Sequence, residues 1–263
     1  MNNQSPKGSR IAKVLARAGI ASRREAEKII LAGRVKVNGE ILISPAFNVV
    51  DSDIILLDGD PIAKPDEERL WCFHKPVGAV TTAKDDKNRK TIYEYFPSNL
   101  PRVMPVGRLD LNSEGLLLLT NSGELKRKLE LPSSELSRIY RVRVKGRPKE
   151  ESLELLRSGI SIDKESFRPM KVLVDRQQGA NAWLTIELKE GKNREIRRAM
   201  GKLGMQVNRL IRIEYGPFKL GNLKRGEIVE INNKSMRRSL KTVNINNTKA
   251  NNKRRSQNKF SQG

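Results

Sequence analysis

The chain has 263 residues, which is enough for one large domain or two smaller ones with a real hydrophobic core. Its 52 Lys and Arg against 30 Asp and Glu give a formal charge of +22, which favours a polyanionic partner. One cysteine and one histidine exclude a disulfide framework, a cysteine-cluster metal site and a His-pair zinc site. The sequence contains neither an apolar run near the ~18 residues of a membrane span nor an N-terminal apolar signal core. We therefore expect a cytoplasmic protein without membrane contact.

Two short helices and a hairpin are predicted near the N-terminus. Apolar residues recur at helical spacing over 11–18, and Ser22 with Glu25 forms a capping box that opens a second helix. The pair Asn38-Gly39 in an alternating stretch predicts a tight β-hairpin. Basic residues line one side of the helices. These residues could contact an RNA backbone, or they could simply form a solvated basic surface. Charge alone supports the two interpretations equally.

A charged stretch with one proline, residues 63–69, reads as a linker to a second domain. Beyond it, a short apolar strand leads into the rigid turn at residues 74–78, which contains Pro76 and Gly78. Lys75 in this turn could contact a phosphate or could be an exposed turn lysine.

The polar loop between Gly107 and Gly115 is the most informative stretch of the chain. It lies between two predicted core strands, so a side chain in it has a fixed position, as a catalytic group needs. Asp110 and Glu114 are equally well explained as turn residues. Paired carboxylates could also serve a glycosidase, but only 5% of the chain is aromatic, which is little for a sugar groove. The hypothesis that a single aspartate of this loop acts as a nucleophile remains open.

A clean alternation over residues 137–146 predicts a strand with Tyr140 on its inward face. A core tyrosine is the commoner outcome at such a position. Further along, Arg194, Arg197 and Arg198 crowd the first turns of a predicted helix, where cations oppose the helix dipole. An RNA phosphate or the Asp110 carboxylate bound at that end would remove the conflict, and a solvated basic turn is the alternative.

The final strand is predicted over residues 227–231. From residue 232 to 263 the chain is rich in Asn, Lys, Arg and Ser and has no acidic residue. We predict a disordered basic tail that adds RNA affinity without sequence preference.

Several long motifs resemble known families. The string GRLDLNSEGLLLLTN, which begins at Gly107, resembles the active-site motif of the RsuA and RluB branch of pseudouridine synthases. GKNREIRR resembles the late arginine motif of the same family, and the turn at Lys75 resembles its KPxG element. RIAKVLARAGIASRREAEKIILAGRVKVNG resembles the S4 RNA-binding domain over roughly residues 9–56.

The resemblance implies an α+β protein. Its expected parts are an S4-like RNA-binding domain at 9–62, the linker at 63–69, a catalytic domain at 70–231 and the tail at 232–263. The catalytic domain is expected to hold a long mixed, mostly antiparallel sheet flanked by helices.

The resemblance also implies roles for individual residues. Asp110 would be the catalytic aspartate, Tyr140 would lie against the target base and Leu210 would wall the base pocket. In the family an arginine of the late motif pairs with the aspartate. Arg197 is the best match to that position, and Arg194 is the second choice. The expected RNA-contacting residues are Arg10, Lys13, Arg17, Arg23, Arg24, Lys75, Arg108, Arg194, Arg198 and Leu210.

The implied activity is isomerisation of one uridine in ribosomal RNA to pseudouridine, without a metal or a cofactor. The oligomeric state is open, and a monomer is the default expectation. The run EIRRAM and the basic tail slightly favour 23S over 16S ribosomal RNA as the partner. A non-catalytic RNA-binding or ribosome-assembly factor of the S4 type is the alternative. A DNA-binding protein is a third possibility, but the sequence has neither a helix-turn-helix nor a basic-zipper pattern.

Overall fold

The computed structural model describes residues 8–83 and 85–241. The chain divides into two compact units, one formed mainly by residues up to Glu68 and the other beginning at Arg69. Residues 62–69 form neither helix nor strand. No helix in the described ranges is long and apolar enough to cross a membrane.

The N-terminal unit is built from two helices and short strands. The predicted capping box is confirmed: the Ser22 hydroxyl accepts from the Glu25 amide at 3.2 Å, and the Glu25 carboxylate accepts from the Ser22 amide at 2.9 Å. Asn38 and Gly39, with φ of +53° and +90°, turn the predicted hairpin. The elements are β1 (Ser9–Arg10), α1 (Ile11–Arg17), α2 (Arg23–Leu31), β2 (Val35–Val37), β3 (Glu40–Leu42), β4 (Asn48–Val49), β5 (Ile55–Leu57) and β6 (Asp60–Pro61).

These elements enclose a small core of their own. The sheet order is β3-β2-β5-β6, and β1 pairs separately with β4. Ile11 and Leu15 of α1 are fully buried, as are Ala26 and Ile30 of α2. The apolar faces of both helices therefore pack in one cluster with the sheet residue Val35.

The C-terminal unit is organised by one long sheet of order β13-β14-β10-β15-β9-β7-β17, with β8 added to β9 and β16 added to β15. Among the described strands only the β9–β15 pairing is parallel, so the expected mixed, mostly antiparallel sheet is confirmed. The strands of this unit are β7 (Leu70–Lys75), β8 (Met104–Val106), β9 (Glu114–Thr120), β10 (Arg138–Lys145), β11 (Ile160–Ile162), β12 (Glu165–Phe167), β13 (Lys171–Gln178), β14 (Asn181–Leu188), β15 (Gln206–Tyr215), β16 (Phe218–Lys219) and β17 (Ile228–Glu230).

Helices accompany this sheet, and β11 pairs with β12 in a separate hairpin. Short 3-10 helices lie at Ile92–Tyr95 and Pro132–Ser134. The predicted alternation of β10 is confirmed, because Tyr140, Val142 and Val144 are buried while Arg141 and Lys145 are exposed. The helices are α3 (Gly123–Glu130), α4 (Glu150–Ser158), α5 (Glu195–Lys202) and α6 (233–241).

Helix α6 corrects the predicted start of the disordered tail. The chain is helical over 233–241, where only irregular structure was expected. Met236 and Leu240 are 3% and 9% exposed and pack in the core cluster with Leu70 of β7. Their i, i+4 spacing places both on one helix face, and burial of that face stabilises the helix despite its basic composition. Residues 242–263 lie outside the described part of the chain.

Candidate active site

Asp110 lies in the tight loop that joins β8 to β9. Hydrogen bonds to consecutive backbone carbonyls fix this loop. Each carbonyl from Leu109 to Ser113 accepts a hydrogen bond. The Thr81 hydroxyl donates to the Leu109 carbonyl at 2.9 Å, and the Gly78 amide donates to the Leu111 carbonyl at 2.9 Å. With five consecutive carbonyls engaged, the loop has little freedom to move. The Asp110 side chain is therefore presented at a fixed place.

Lys75 is the buried clamp of this loop, which corrects its predicted role as a phosphate contact. Its side chain is fully buried, at 0% exposure. The Lys75 ammonium donates to the carbonyls of Pro76, Asp110 and Ser113 at 3.0, 3.1 and 2.8 Å. A lysine has three donors, and all three are used within the protein. Burial lowers the pKa of Lys75 to about 8, against the raising effect of the Asp110 and Glu114 charges.

The carboxylate of Asp110 is one-third exposed and faces Arg194, with 3.8 Å between Oδ2 and Nη1. Arg194 caps α5 in a left-handed conformation, with φ of +49°, which differs from the helical turn predicted at this residue. The sequence interpretation preferred Arg197 as the partner of the aspartate. In the structure the second choice, Arg194, makes the ion pair.

Arg197 instead holds the loop backbone. Its guanidinium donates to the Asn112 carbonyl at 2.7 Å and to the Val207 carbonyl at 2.9 Å. Burial lowers the pKa of Arg197, and the nearby Arg194 lowers it further, while the Asp110 charge acts the other way. Arg197 therefore joins the Asp110 loop to the strand that follows α5 and does not pair with the carboxylate.

Because the two arginines have different contacts, we expect their substitutions to affect kcat and thermal stability differently. Arg194→Gln removes the cation that faces Asp110, so we expect kcat to fall about ten- to a hundredfold with thermal stability unchanged, because Arg194 is half exposed. Arg197→Gln should lower both kcat and the melting temperature, because the Asn112 and Val207 carbonyls lose the hydrogen bonds that join the loop to β15.

The measurement is single-turnover kinetics beside thermal unfolding, with Lys202→Gln at the exposed far end of α5 as the charge-matched control. An Arg194→Gln enzyme with full kcat, together with a stable but slow Arg197→Gln enzyme, would assign the pairing role to Arg197.

A cavity of about 790 Å³ opens beside the Asp110 loop. Tyr140 is 9% exposed and Leu210 is 6% exposed, and both line this cavity. Both positions lie on neighbouring strands, since Val142 of β10 pairs with Leu210 of β15. The carboxylate, an aromatic ring and an apolar wall therefore share one concave space. Of the residues predicted for the site, the cavity is lined by Arg108, Asp110, Tyr140, Arg194 and Leu210.

Sequence reasoning missed Arg212, which also lines the cavity and is 2% exposed. Its Nε donates to the Leu116 carbonyl at 2.7 Å, while its Nη2 is buried with no hydrogen-bond partner in the described structure. The strand alternation of β15 was a sufficient signal, because Arg212 lies two residues from Leu210 and so shares its face.

A second missed group is the pair Arg138 and Tyr215. The Arg138 guanidinium donates to the Tyr215 hydroxyl at 3.1 Å, and that hydroxyl donates to the Leu129 carbonyl at 3.1 Å. Both side chains line the cavity. Arg138 therefore adds a further fixed cation to the site, although it stands outside every motif noted in the sequence.

Glu114, the second carboxylate of the loop, does not line the cavity. It is 2% exposed and forms ion pairs with Arg209 at 2.5 Å and Arg225 at 2.9 Å. Burial acts to raise its pKa, but the hydrogen bonds and charges of Arg209 and Arg225 together outweigh that effect and keep the pKa lowered. The structure therefore separates the two carboxylates, which argues against paired acid and base work of the glycosidase kind.

Arg198 was predicted to contact RNA, but its guanidinium is engaged within the protein. It pairs with Glu165 at 2.5 Å and lies 4.8 Å from the Phe167 ring centre. The Glu165 hydrogen bond raises the pKa of Arg198. Arg198 therefore ties α5 to the β11–β12 hairpin and does not belong to the cavity.

Two carboxyl groups, those of Glu190 and Glu195, flank Arg194 in the sequence. Glu195 is 3% exposed and accepts from the Lys192 amide at 3.1 Å, while Glu190 accepts from the Arg168 amide at 2.7 Å. Burial, reinforced by the nearby Glu190, raises the pKa of Glu195 to about 8. With its pKa raised, Glu195 is neutral over more of the pH range than an ordinary carboxyl, which reduces its repulsion with Glu190.

In the N-terminal unit, the basic residues predicted to contact RNA lie on or beside the two helices. Arg17, Arg23 and Arg24 are exposed, and Lys13 is partly buried. Arg10 is also exposed, but its guanidinium donates to the Ala46 carbonyl, so part of its donor set serves the fold.

Comparison with known proteins places both units in families. Residues 69–202 match the RNA pseudouridylate synthase family, and residues 9–55 match the S4 domain. A solved structure titled as a pseudouridylate synthase superposes with a TM-score of 0.63 at 25% identity, covering 88% of this chain and 99% of that one.

Curated relatives agree with this family along nearly their whole length. An uncharacterised RNA pseudouridine synthase of Rickettsia felis is 50% identical over 228 residues, covering 86% of this chain and 97% of the relative. Ribosomal large subunit pseudouridine synthase B of Bacillus subtilis is 38% identical over 226 residues, covering 84% of this chain and 91% of the relative. The chain therefore belongs to the RNA pseudouridylate synthase family, in the branch that resembles synthase B, and it carries an S4 domain before the synthase domain.

Proposed function

We propose that this protein isomerises one uridine of large-subunit ribosomal RNA to pseudouridine, with Asp110 as the catalytic residue. The observation that carries the proposal is the Asp110 loop, whose five engaged carbonyls present a carboxylate to the cavity. The likeness to ribosomal large subunit pseudouridine synthase B supports large-subunit over small-subunit RNA.

The target uridine must leave its stack to reach this carboxylate. Flipping costs a few kcal/mol, which contacts between basic side chains and phosphates offset. Tyr140 stacks on the flipped base, and Leu210 forms the apolar wall against it. Both side chains are buried on the strands that line the cavity, so little further ordering accompanies base binding.

In the reaction the bond from ribose C1′ to uracil N1 breaks, and a bond from C1′ to C5 forms. The C5 proton leaves, and N1 takes up a proton. Asp110 acts on the bound nucleoside during this exchange, and Arg194 faces its carboxylate at 3.8 Å. Arg194, Arg138 and Arg212 place further positive charge around the cavity, which suits a phosphate-bearing substrate.

The basic residues of the S4 domain supply further contacts to the RNA backbone. Arg10, Arg17, Arg23 and Arg24 are exposed on or beside its helices. We expect each to contribute through phosphate neutralisation, which is independent of sequence and weakens with salt. The protein acts as a monomer in this proposal and needs neither metal nor cofactor.

The test is tritium release from ribosomal RNA labelled at C5 of uridine. We expect release from large-subunit RNA at a single mapped site and none from small-subunit RNA. Release only from small-subunit RNA would correct the substrate. Tight binding without release from either RNA, or from ribosomal particles, would favour a non-catalytic assembly factor of the S4 type.

A further inference from the structure

The sheet of the C-terminal unit has a second face, opposite the cavity, that carries a tryptophan among arginines. On β14, Ala182 and Leu184 are fully buried on the cavity face, while Trp183 between them points the other way and is partly exposed. The other tryptophan of the chain, Trp71, is 3% exposed and belongs to the core. Trp183 is therefore not among the buried residues of the described core.

Four arginines surround the Trp183 ring. Arg143 of β10 and Arg176 of β13 are its cross-strand partners on either side. The guanidinium carbon of Arg141 lies 4.9 Å from a Trp183 ring centre, and that of Arg209 lies at 6.0 Å. These distances are within the range of cation–π attraction. We call this set, with the exposed Lys145 two residues beyond Arg143, the Trp183 face.

Carboxylates neutralise only part of this charge. Asp175 lies 3.8 Å from Arg141 and also accepts from the Thr185 hydroxyl at 2.9 Å. Glu187 pairs with Lys171, and Glu114 pairs with Arg209. Within the described part of the chain, no ion pair is found for Arg143, Lys145 or Arg176. Like charges held this close repel each other, and a polyanion would relieve that repulsion.

We propose that the Trp183 face binds a single-stranded segment of the substrate RNA outside the catalytic cavity. A base stacks on Trp183, and the flanking phosphates contact Arg141, Arg143 and Arg176. Stacking platforms flanked by cations are the usual way in which proteins hold unpaired nucleotides. The inference rests on the proposed function, because it takes the substrate to be RNA.

The position of the face determines which RNA can use it. Tyr140 and Leu210 line the cavity from the other side of the same sheet. A strand that reaches both sites must pass around the sheet. We therefore expect the face to matter for a long RNA and to be silent for a short fragment that carries only the target uridine and its immediate neighbours.

The experiment compares Trp183→Ala with the unaltered full chain. On large-subunit RNA, Trp183→Ala should raise KM about tenfold with kcat unchanged, and on a short hairpin containing the mapped target it should change neither. Trp183→Phe keeps an aromatic ring and should restore most of the affinity. The double variant Arg143→Ala and Arg176→Ala should lower the slope of log affinity against log salt by about 2.

Two controls sharpen the result. Lys202→Ala removes an exposed cation of α5 away from this face and should leave KM unchanged. Leu173, 65% exposed on the same sheet face, should be replaceable by Ala without effect if the occupant is RNA. An equal rise in KM for Leu173→Ala and Trp183→Ala would instead indicate an apolar, protein-binding surface and would overturn the proposal.

Direct binding separates this inference from the proposed function. Anisotropy of a labelled oligouridylate of about 12 nucleotides reports affinity without any turnover. If the unaltered chain releases no tritium but Trp183→Ala weakens its binding of this probe about tenfold, the proposed activity is rejected and the RNA-binding role of the Trp183 face is supported. If tritium release is normal and Trp183→Ala changes neither KM nor the affinity for oligouridylate, the proposed role of the Trp183 face is rejected.

Discussion

Replacing Asp110 by Asn is expected to lower the rate of uridine isomerisation by more than about 10³-fold while leaving RNA affinity nearly unchanged. The substitution keeps the shape of the side chain and removes its charge and one of its two carboxylate oxygens. The loop is held through the carbonyls of residues 109–113 and not through the Asp110 carboxylate, so the local backbone should persist. Only the chemistry is then lost.

Single-turnover tritium release and a filter-binding titration of the same RNA measure the two effects separately. The matched control is Asp163→Asn, because Asp163 is 83% exposed in a turn and makes only a 3.7 Å contact with Arg198. Its rate should stay within about twofold of the unaltered protein, since surface substitutions have small effects. An Asp110→Asn protein that keeps more than a tenth of the rate would remove Asp110 from the catalytic role.

Replacing Lys75 by Met is expected to damage both stability and activity. Three carbonyls in or beside the Asp110 loop lose a hydrogen bond, one of them buried and two part-buried, so we expect the free energy of unfolding to fall by about 3 kcal/mol. Two of these carbonyls belong to the Asp110 loop, and a displacement of about 1 Å there can lower kcat about a hundredfold. Chemical denaturation and single-turnover kinetics measure the two losses. Lys219→Met, at a lysine that is 71% exposed, should change the unfolding free energy by less than about 0.5 kcal/mol.

The pH dependence of the Lys75→Met difference has a defined sign. The folded-state pKa of Lys75 is lowered to about 8 from 10.5, so between these values the unfolded chain binds more protons than the folded one. The contribution of Lys75 to stability therefore rises with pH in this window and is constant below about pH 8. The stability gap between the unaltered protein and Lys75→Met should widen by up to about 1 kcal/mol per pH unit above pH 8. A gap that narrows there would show that the folded protein holds the Lys75 proton more tightly than the unfolded chain does, and would contradict the lowered pKa.

Local patterns were sufficient for most of the secondary structure. The capping box at Ser22, the Asn38-Gly39 hairpin and the alternation around Tyr140 each depend on residues close in sequence, and each was predicted correctly. Helix α6 was missed because its stability comes from burial of Met236 and Leu240 in a distant core, whereas composition alone favoured disorder.

The sequence by itself determined the two-domain α+β organisation, the family and the loop that carries Asp110, because long motifs and short-range periodicity hold that information. Only the tertiary structure decided which cation serves which purpose. Lys75 became a buried clamp, Arg198 a structural tie, Arg197 a support of the loop and Arg194 the neighbour of the carboxylate. The physical reason is that the role of a charged side chain depends on burial and on partners that are distant in the sequence. Arg197 and Asn112 are 85 positions apart, so no local pattern could have paired them.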